Sequence, residues 1–171
     1  MNYNSGGKLG SVYSLAISDN GRIALSSEDK TIKVWDSDFN LIKTFYGHTN
    51  DVEALIFNHD GCLISESYDK SIKVWSKQYD LFRTLSNDEN EDLSLAITSD
   101  GLLVSGDSNG IMKVWSKQYK LLKTISKDTG GHSDDVSSLA ITSDGLLVSG
   151  SHDETIKVWS KEFTLLRTLN N

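Results

Sequence analysis

An all-β fold made of four similar four-stranded antiparallel sheets is what this sequence predicts, and three observations carry the prediction. Trp35, Trp75, Trp115 and Trp159 each end the phrase Lys-Val-Trp and recur at intervals of 40, 40 and 44 residues. Asn-Gly or Asp-Gly falls at one fixed place in every unit, as Asn20-Gly21, Asp60-Gly61, Asp100-Gly101 and Asp144-Gly145. Short apolar runs fill the intervals between turns. A self-similar period of this length marks a stacked or radial repeat architecture, because one such unit is too small to bury its own apolar surface.

Each unit opens on an alternating apolar run, at residues 12–17, 52–57, 93–97 and 136–141, and short apolar runs bounded by turn residues read as strands. The Asn/Asp-Gly pair that follows accepts positive φ at both centres of a tight hairpin. A second strand comes next, as in 102–105, then a polar turn such as 151–154, then the strand ending in tryptophan, as in 155–159. The fourth strand spans 39–45, 79–85, 119–125 and 163–169. The units are therefore expected at about 11–45, 51–85, 91–125 and 135–169, after a short flexible lead-in at 1–10. Each sheet is apolar on both faces and must stack on its neighbours. Residues 94–106 and 138–150 are identical, as are 73–79 and 113–119, so the units should have nearly interchangeable backbones, a sign of recent duplication.

Composition bounds the function. The chain is 37% hydrophobic and 24% charged, which is globular, and its turns must rest on Gly, Asp, Asn and Ser because it has no proline. A net charge of −7 is the wrong sign for holding a phosphate backbone, so nucleic acid is not an expected partner. The lone Cys62 sits before Leu63 and Ile64 and reads as a small buried side chain in a reducing compartment. No apolar stretch approaches signal-peptide or membrane-span length, so a soluble cytoplasmic protein is the expectation.

The repeat resembles the WD-repeat family of β-propellers over residues 11–171. Gly47-His48 and Gly131-His132, the turn aspartates Asp29, Asp69 and Asp153, and the Val-Trp strand carry the resemblance. It implies a β-propeller of four-stranded blades, four in this chain, that acts as a non-catalytic protein-interaction scaffold without cofactors. It also implies a buried hydrogen-bonded chain of His, Ser, Asp and Trp in each complete blade: His48, Ser65, Asp69 and Trp75 in the second, His132, Ser149, Asp153 and Trp159 in the fourth. A His/Ser/Asp set also suggests a hydrolase triad, but a triad needs an exposed serine beside an oxyanion hole, and two separated copies read as scaffold.

The departures matter. The first repeat has Lys8 and Leu25 where the His and Ser would fall, so its blade should be the least well locked. The third lacks the His, has Asn109 for the turn Asp, and carries Asp92 where its sisters have Val. The acidic run around Asp88, Glu89, Glu91 and Asp92 lacks the Gly-centred spacing of a calcium loop and reads as a solvated loop, with no metal expected.

Members of the resembled family usually close about seven or eight blades, so four leave two faces uncovered. Two copies joined head to tail around a twofold axis would complete an eight-bladed ring and bury both faces. A fragment of a larger WD-repeat protein, a four-bladed monomer and an engineered minimal unit without a ligand are the alternatives. The family's contact positions, carried over by alignment, are Tyr13, Glu28, Asp51, Glu53, Tyr68, Glu91, Leu93, Asp135 and His152, together with Ser11, Ser108 and Ser137. That rim is acidic with two tyrosines and would attract a basic peptide.

Overall fold

A computed structural model describes residues 10–86 and 92–170. Among the described residues sixteen strands form four separate antiparallel sheets, each a simple meander of consecutive strands. Blade 1 comprises β1 (Val12–Ile17), β2 (Ile23–Ser27), β3 (Ile32–Trp35) and β4 (Leu41–Phe45). Blade 2 comprises β5 (Val52–Phe57), β6 (Leu63–Ser67), β7 (Ser71–Trp75) and β8 (Leu81–Ser86). Blade 3 comprises β9 (Asp92–Ile97), β10 (Leu103–Asp107), β11 (Met112–Trp115) and β12 (Leu121–Ile125). Blade 4 comprises β13 (Ser138–Ile141), β14 (Leu147–Gly150), β15 (Thr155–Trp159) and β16 (Leu165–Asn170). The four-residue excess of the last interval falls at a 3₁₀ turn, Lys127–Thr129, that precedes Gly131-His132.

Three local features differ from the sequence expectation, each for a physical reason. In the first hairpin of every blade only the glycine takes positive φ, 81° at Gly101, while Asp100 does not. Gly101 N–H donates to the Thr98 carbonyl and Thr98 N–H to the Leu102 carbonyl, so the hairpin is a longer turn closed by a left-handed glycine. The Thr98 hydroxyl braces it by donating to Asp100 at 2.6 Å. The fourth strands begin two residues later than expected, because Phe39, Tyr79, Tyr119 and Phe163 sit at φ of 58° to 71° and belong to the preceding turn. Positive φ at a bulky residue is uncommon and marks a position fixed by its surroundings. Finally, Val136 stands outside β13, because its N–H donates at 3.0 Å to the Asp107 carbonyl of blade 3.

Blades stack through their apolar faces. β1 and β2 pack on β5, β5 and β6 on β9, and β9 and β10 on β13. At the first junction Ala24, Ile32, Val34 and Phe45 meet Val52, Leu55, Leu63 and Trp75. The second pairs Ile64, Ile72, Val74 and Leu85 with Leu103, Trp115 and Tyr119, and the third pairs Val104, Met112, Val114 and Ile125 with Val136, Leu147, Trp159 and Phe163. One sheet face therefore recurs as donor of aliphatic side chains and the other as bearer of the tryptophan.

No comparable packing joins blade 4 to blade 1 among the described residues. The tryptophan-bearing face of blade 1 is open: Val12, Leu15 and Ile17 are 56%, 56% and 64% exposed, although their counterparts Val52 and Leu55 are buried. The aliphatic face of blade 4 is open too, with Ile156 and Leu169 at 45% and 44%.

Burial at a junction sets the cost of a cavity. Leu103→Ala, at a site 1% exposed, is expected to cost about 2–5 kcal/mol in urea unfolding. Ile156→Ala, at its half-open face, is expected to cost the single chain under about 1 kcal/mol. Equal losses at the two sites would contradict this account of the faces.

Candidate functional site

The polar chains inside blades 2 and 4 have the same geometry. His48 Nε2 lies 2.7 Å from Ser65 Oγ, Trp75 Nε1 donates to that oxygen at 2.9 Å, and His48 Nδ1 lies 2.9 Å from Asp69 Oδ2. His132, Ser149, Trp159 and Asp153 show the same distances in blade 4. With Nδ1–H donating to the carboxylate and Nε2 accepting the serine proton, every polar atom of the set has a partner. The carboxylates reach further: Asp69 accepts from Thr49 N–H and the Ser71 hydroxyl, and Asp153 from Ser133 N–H and the Thr155 hydroxyl. A chain from tryptophan to aspartate thus ties the central strands to the loop entering the blade.

Chemically this set resists attack on a substrate. Ser65 and Ser149 are 0% exposed, so neither hydroxyl meets solvent, and each already holds both a tryptophan and a histidine. Cys62, expected to be buried, is only half-buried at the edge of the second junction, yet that burial pushes its thiol up, away from the reactive thiolate. Among the described residues no group of three or more His, Cys, Asp and Glu is gathered as a metal site would need, and no helix is long and apolar enough to cross a membrane. The acidic residues Asp88, Glu89 and Glu91 lie outside the described residues.

The other two blades are held differently. In blade 1 Leu25 offers no hydroxyl to the half-buried Trp35, while Asp29 still braces its turn through Thr31 and Lys33. In blade 3 the tryptophan contact survives, Trp115 Nε1 to Ser105 Oγ at 3.2 Å. The turn there is held by Asp107, whose carboxylate accepts from the Asn109 and Ile111 N–H groups. The repeat spacing puts Asn109 in the place of the turn aspartate, whereas the carboxylate that braces this turn belongs to Asp107.

The rim residues fall into two groups. Tyr13 Oη donates to Asp51 Oδ2 across the junction of blades 1 and 2, at 3.2 Å. Glu28 accepts from Ser11 N–H, and Tyr68 N–H donates to the Asp51 carbonyl. Burial and the neighbouring Asp51 push the Glu53 carboxyl up, and Tyr13 is likewise raised, by desolvation and then by the Asp51 contact. The second group is on blade 4, where Asp135 Oδ2 lies 3.3 Å from His152 Nδ1. Ser137, also on blade 4, donates through its hydroxyl to the Gly150 carbonyl, while Ser108 sits in the turn after β10. Leu93 lies on β9, and Glu91 lies outside the described residues.

Four four-stranded meanders stacked face to face define a four-bladed β-propeller arc. The family described as WD domain, G-beta repeat, matches residues 4–36, 39–76 and 120–160, and the chain belongs to this WD-repeat family, whose members are generally non-catalytic interaction scaffolds. Residues 77–119, which hold most of the third repeat, fall between those matches. Nuclear distribution protein PAC1 of Coccidioides posadasii (strain C735) is 56% identical over 34 residues, which is 20% of this chain and only 7% of that relative's length. The crystal structure of the computationally designed Ika4 protein superposes with a TM-score of 0.76 at 30% identity, covering 91% of this chain and 94% of that one.

Acid should act on the buried sets in two steps. Burial holds His48 and His132 below the usual histidine range despite their carboxylates, so both are neutral in the fold, and their contribution is lost as pH falls below about 6.5. Burial alone would raise Asp69, but hydrogen bonds from Ser71, Thr49 and His48 outweigh it and hold the carboxyl low; Asp153 behaves likewise. Their contribution is present at neutral pH and lost below about pH 4. Thermal unfolding should therefore show a plateau at neutral pH, a first decline below about 6.5 and a steeper one below about 4. At neutral pH Ser149→Ala should cost about 1–3 kcal/mol, because it leaves His132 Nε2 and the Trp159 indole N–H without a partner; a neutral effect would contradict the geometry.

Proposed function

We propose that this chain is a non-catalytic interaction scaffold that pairs with a second copy of itself and presents an acidic rim to basic peptides. The observation that carries the pairing is the match between its two open faces and its three closed junctions. Leu15 and Ile17 occupy on blade 1 the positions that Leu55 and Phe57 fill at the first junction, and Ile156 and Leu169 on blade 4 correspond to Ile32 and Phe45. Apolar faces of this kind favour a partner over water. Placing blade 4 of each copy on blade 1 of the other closes an eight-bladed ring around a twofold axis, with two identical seams.

The His/Ser/Asp/Trp sets serve in this reading as locks that stiffen blades 2 and 4. The binding rim is the blade 1–2 group, where Tyr13, Glu28, Asp51 and Glu53 gather around one hydrogen bond. Its negative field speeds capture of a lysine- or arginine-rich segment and weakens with salt. Two observations favour other origins for the same unit. The match to 7% of a curated relative suits blades belonging to a longer WD-repeat chain, and the likeness to a computationally designed protein suits a minimal assembly unit.

Sedimentation of the 171-residue chain is expected to give twice 18.9 kDa; a single-chain mass at all concentrations would refute the pairing. For the rim, Asp51→Lys with Glu53→Lys should weaken binding of a basic peptide by about tenfold or more, with the wild-type affinity falling as salt rises. An unchanged affinity would exclude this face.

A further inference from the structure

Resting on that twofold pairing, we propose that the seam is fixed by three contacts: Val12 of one copy over Gly150 of the other, Phe39 against Leu166 and Leu169, and Arg167 on the carbonyls of Asp38 and Phe39. Each is read from its counterpart at a junction inside the chain.

The first is a knob and a hole. Gly106 on β10 lies beneath Val136, so close that a Cβ there would come within 2.6 Å of Val136 Cγ1. At the first junction the corresponding residues are Ser26 and Val52, both 0% exposed. The middle junction departs from the scheme, with a buried Glu66 at this place and Asp92 for the valine. On the open face the counterpart is Gly150, where a Cβ would meet no neighbouring blade and only the Ser138 hydroxyl of its own sheet, at 2.6 Å. It lines a depression of about 420 Å³ together with Ser151, Ile156 and Leu169. The counterpart of Val136 is Val12, which is 56% exposed. A small residue facing valine is thus the rule at the first and last closed junctions, and the two open faces hold the missing halves of a third such pair.

The second contact explains the aromatic turn residues. Tyr79 packs edge-on against Phe45 of the preceding blade at 5.7 Å, and Tyr119 against Phe82 at 6.3 Å. Phe39 holds the same backbone conformation at φ 63° yet is 74% exposed. The positions corresponding to Phe45 and Phe82 on blade 4 are Leu169 and Leu166, at 44% and 57%.

The third is a clamp. Arg83 Nη1 donates to the Gln118 carbonyl at 2.7 Å, and Lys123 Nζ to the carbonyls of Glu162 and Phe163 at 3.2 and 2.7 Å, each reaching from one blade to the aromatic turn of the next. The corresponding cation on blade 4 is Arg167, which is exposed. The turn it would meet carries the Asp38 carboxylate, so charge complementarity adds to the carbonyl contacts. Seam and internal junctions then form one continuous series.

Sedimentation equilibrium on the full chain tests this with Phe39→Asp and Gly150→Glu. Phe39 is exposed and an aspartate tolerates its left-handed backbone. Ser26 and Glu66 already place side chains at the position of Gly150. Both variants should keep the wild-type circular dichroism spectrum while the dimer dissociation constant rises about tenfold or more. A doubled wild-type mass with both variants pairing at unchanged affinity would overturn the seam and leave the twofold reading standing. A wild type that stays single at every concentration would overturn both.

Discussion

Everything in this molecule depends on the packing of one twisted sheet on the next. A four-stranded meander with apolar residues on both faces cannot keep either face from water by itself. Stacking solves the problem at three junctions, where Val34, Val74 and Val114 on one side and Leu63, Leu103 and Leu147 on the other all reach 1% exposure or less. The strands of each blade pair within their own sheet, and apart from ties such as Val136 N–H to the Asp107 carbonyl it is side chains that meet between blades. A stack of identical two-sided units always ends in two unlike faces, and these are what a further copy can cover.

The buried polar chains work at right angles to that packing. The chain through His48, Ser65, Asp69 and Trp75 runs within a blade and fixes the loop that leads into its inner strand. Between blades the polar ties are of another kind, such as Ser94 Oγ donating to the Val136 carbonyl at 2.8 Å and Arg83 reaching the Gln118 carbonyl. Blade 1 carries Leu25 for the serine and is also the blade with an open tryptophan face. Blade 1 thus combines the loss of the serine link with an open face.

Much of the fold was legible because the repeat displays its periods openly. Alternating runs such as Val52–Phe57 mark inner strands, and the Lys-Val-Trp phrase marks the end of the third strand in each blade. What was illegible depends on contacts between units. Nothing local distinguishes Phe39 or Tyr119 from a strand residue; their left-handed backbone follows from where the ring must lie. Val136 leaves its strand because blade 3 offers it a carbonyl, and Asp107 braces a turn that the spacing assigned to Asn109. The two complete His/Ser/Asp/Trp sets were readable from residue type and order, whereas the grouping of Tyr13 with Asp51 across a junction needed the stacking itself.

The central claim is that the open faces are unfilled versions of the closed junctions, and Trp35 reports on it most directly. Its counterparts Trp75, Trp115 and Trp159 are 4%, 7% and 1% exposed, while Trp35 is half-buried. Chain labelled with 5-fluorotryptophan gives one ¹⁹F signal per tryptophan, and the solvent isotope shift of each signal reads its contact with water. On concentrating the protein, the Trp35 signal alone is expected to lose that shift and join the other three. A Trp35 signal that keeps its water contact at concentrations where the mass has doubled would contradict it.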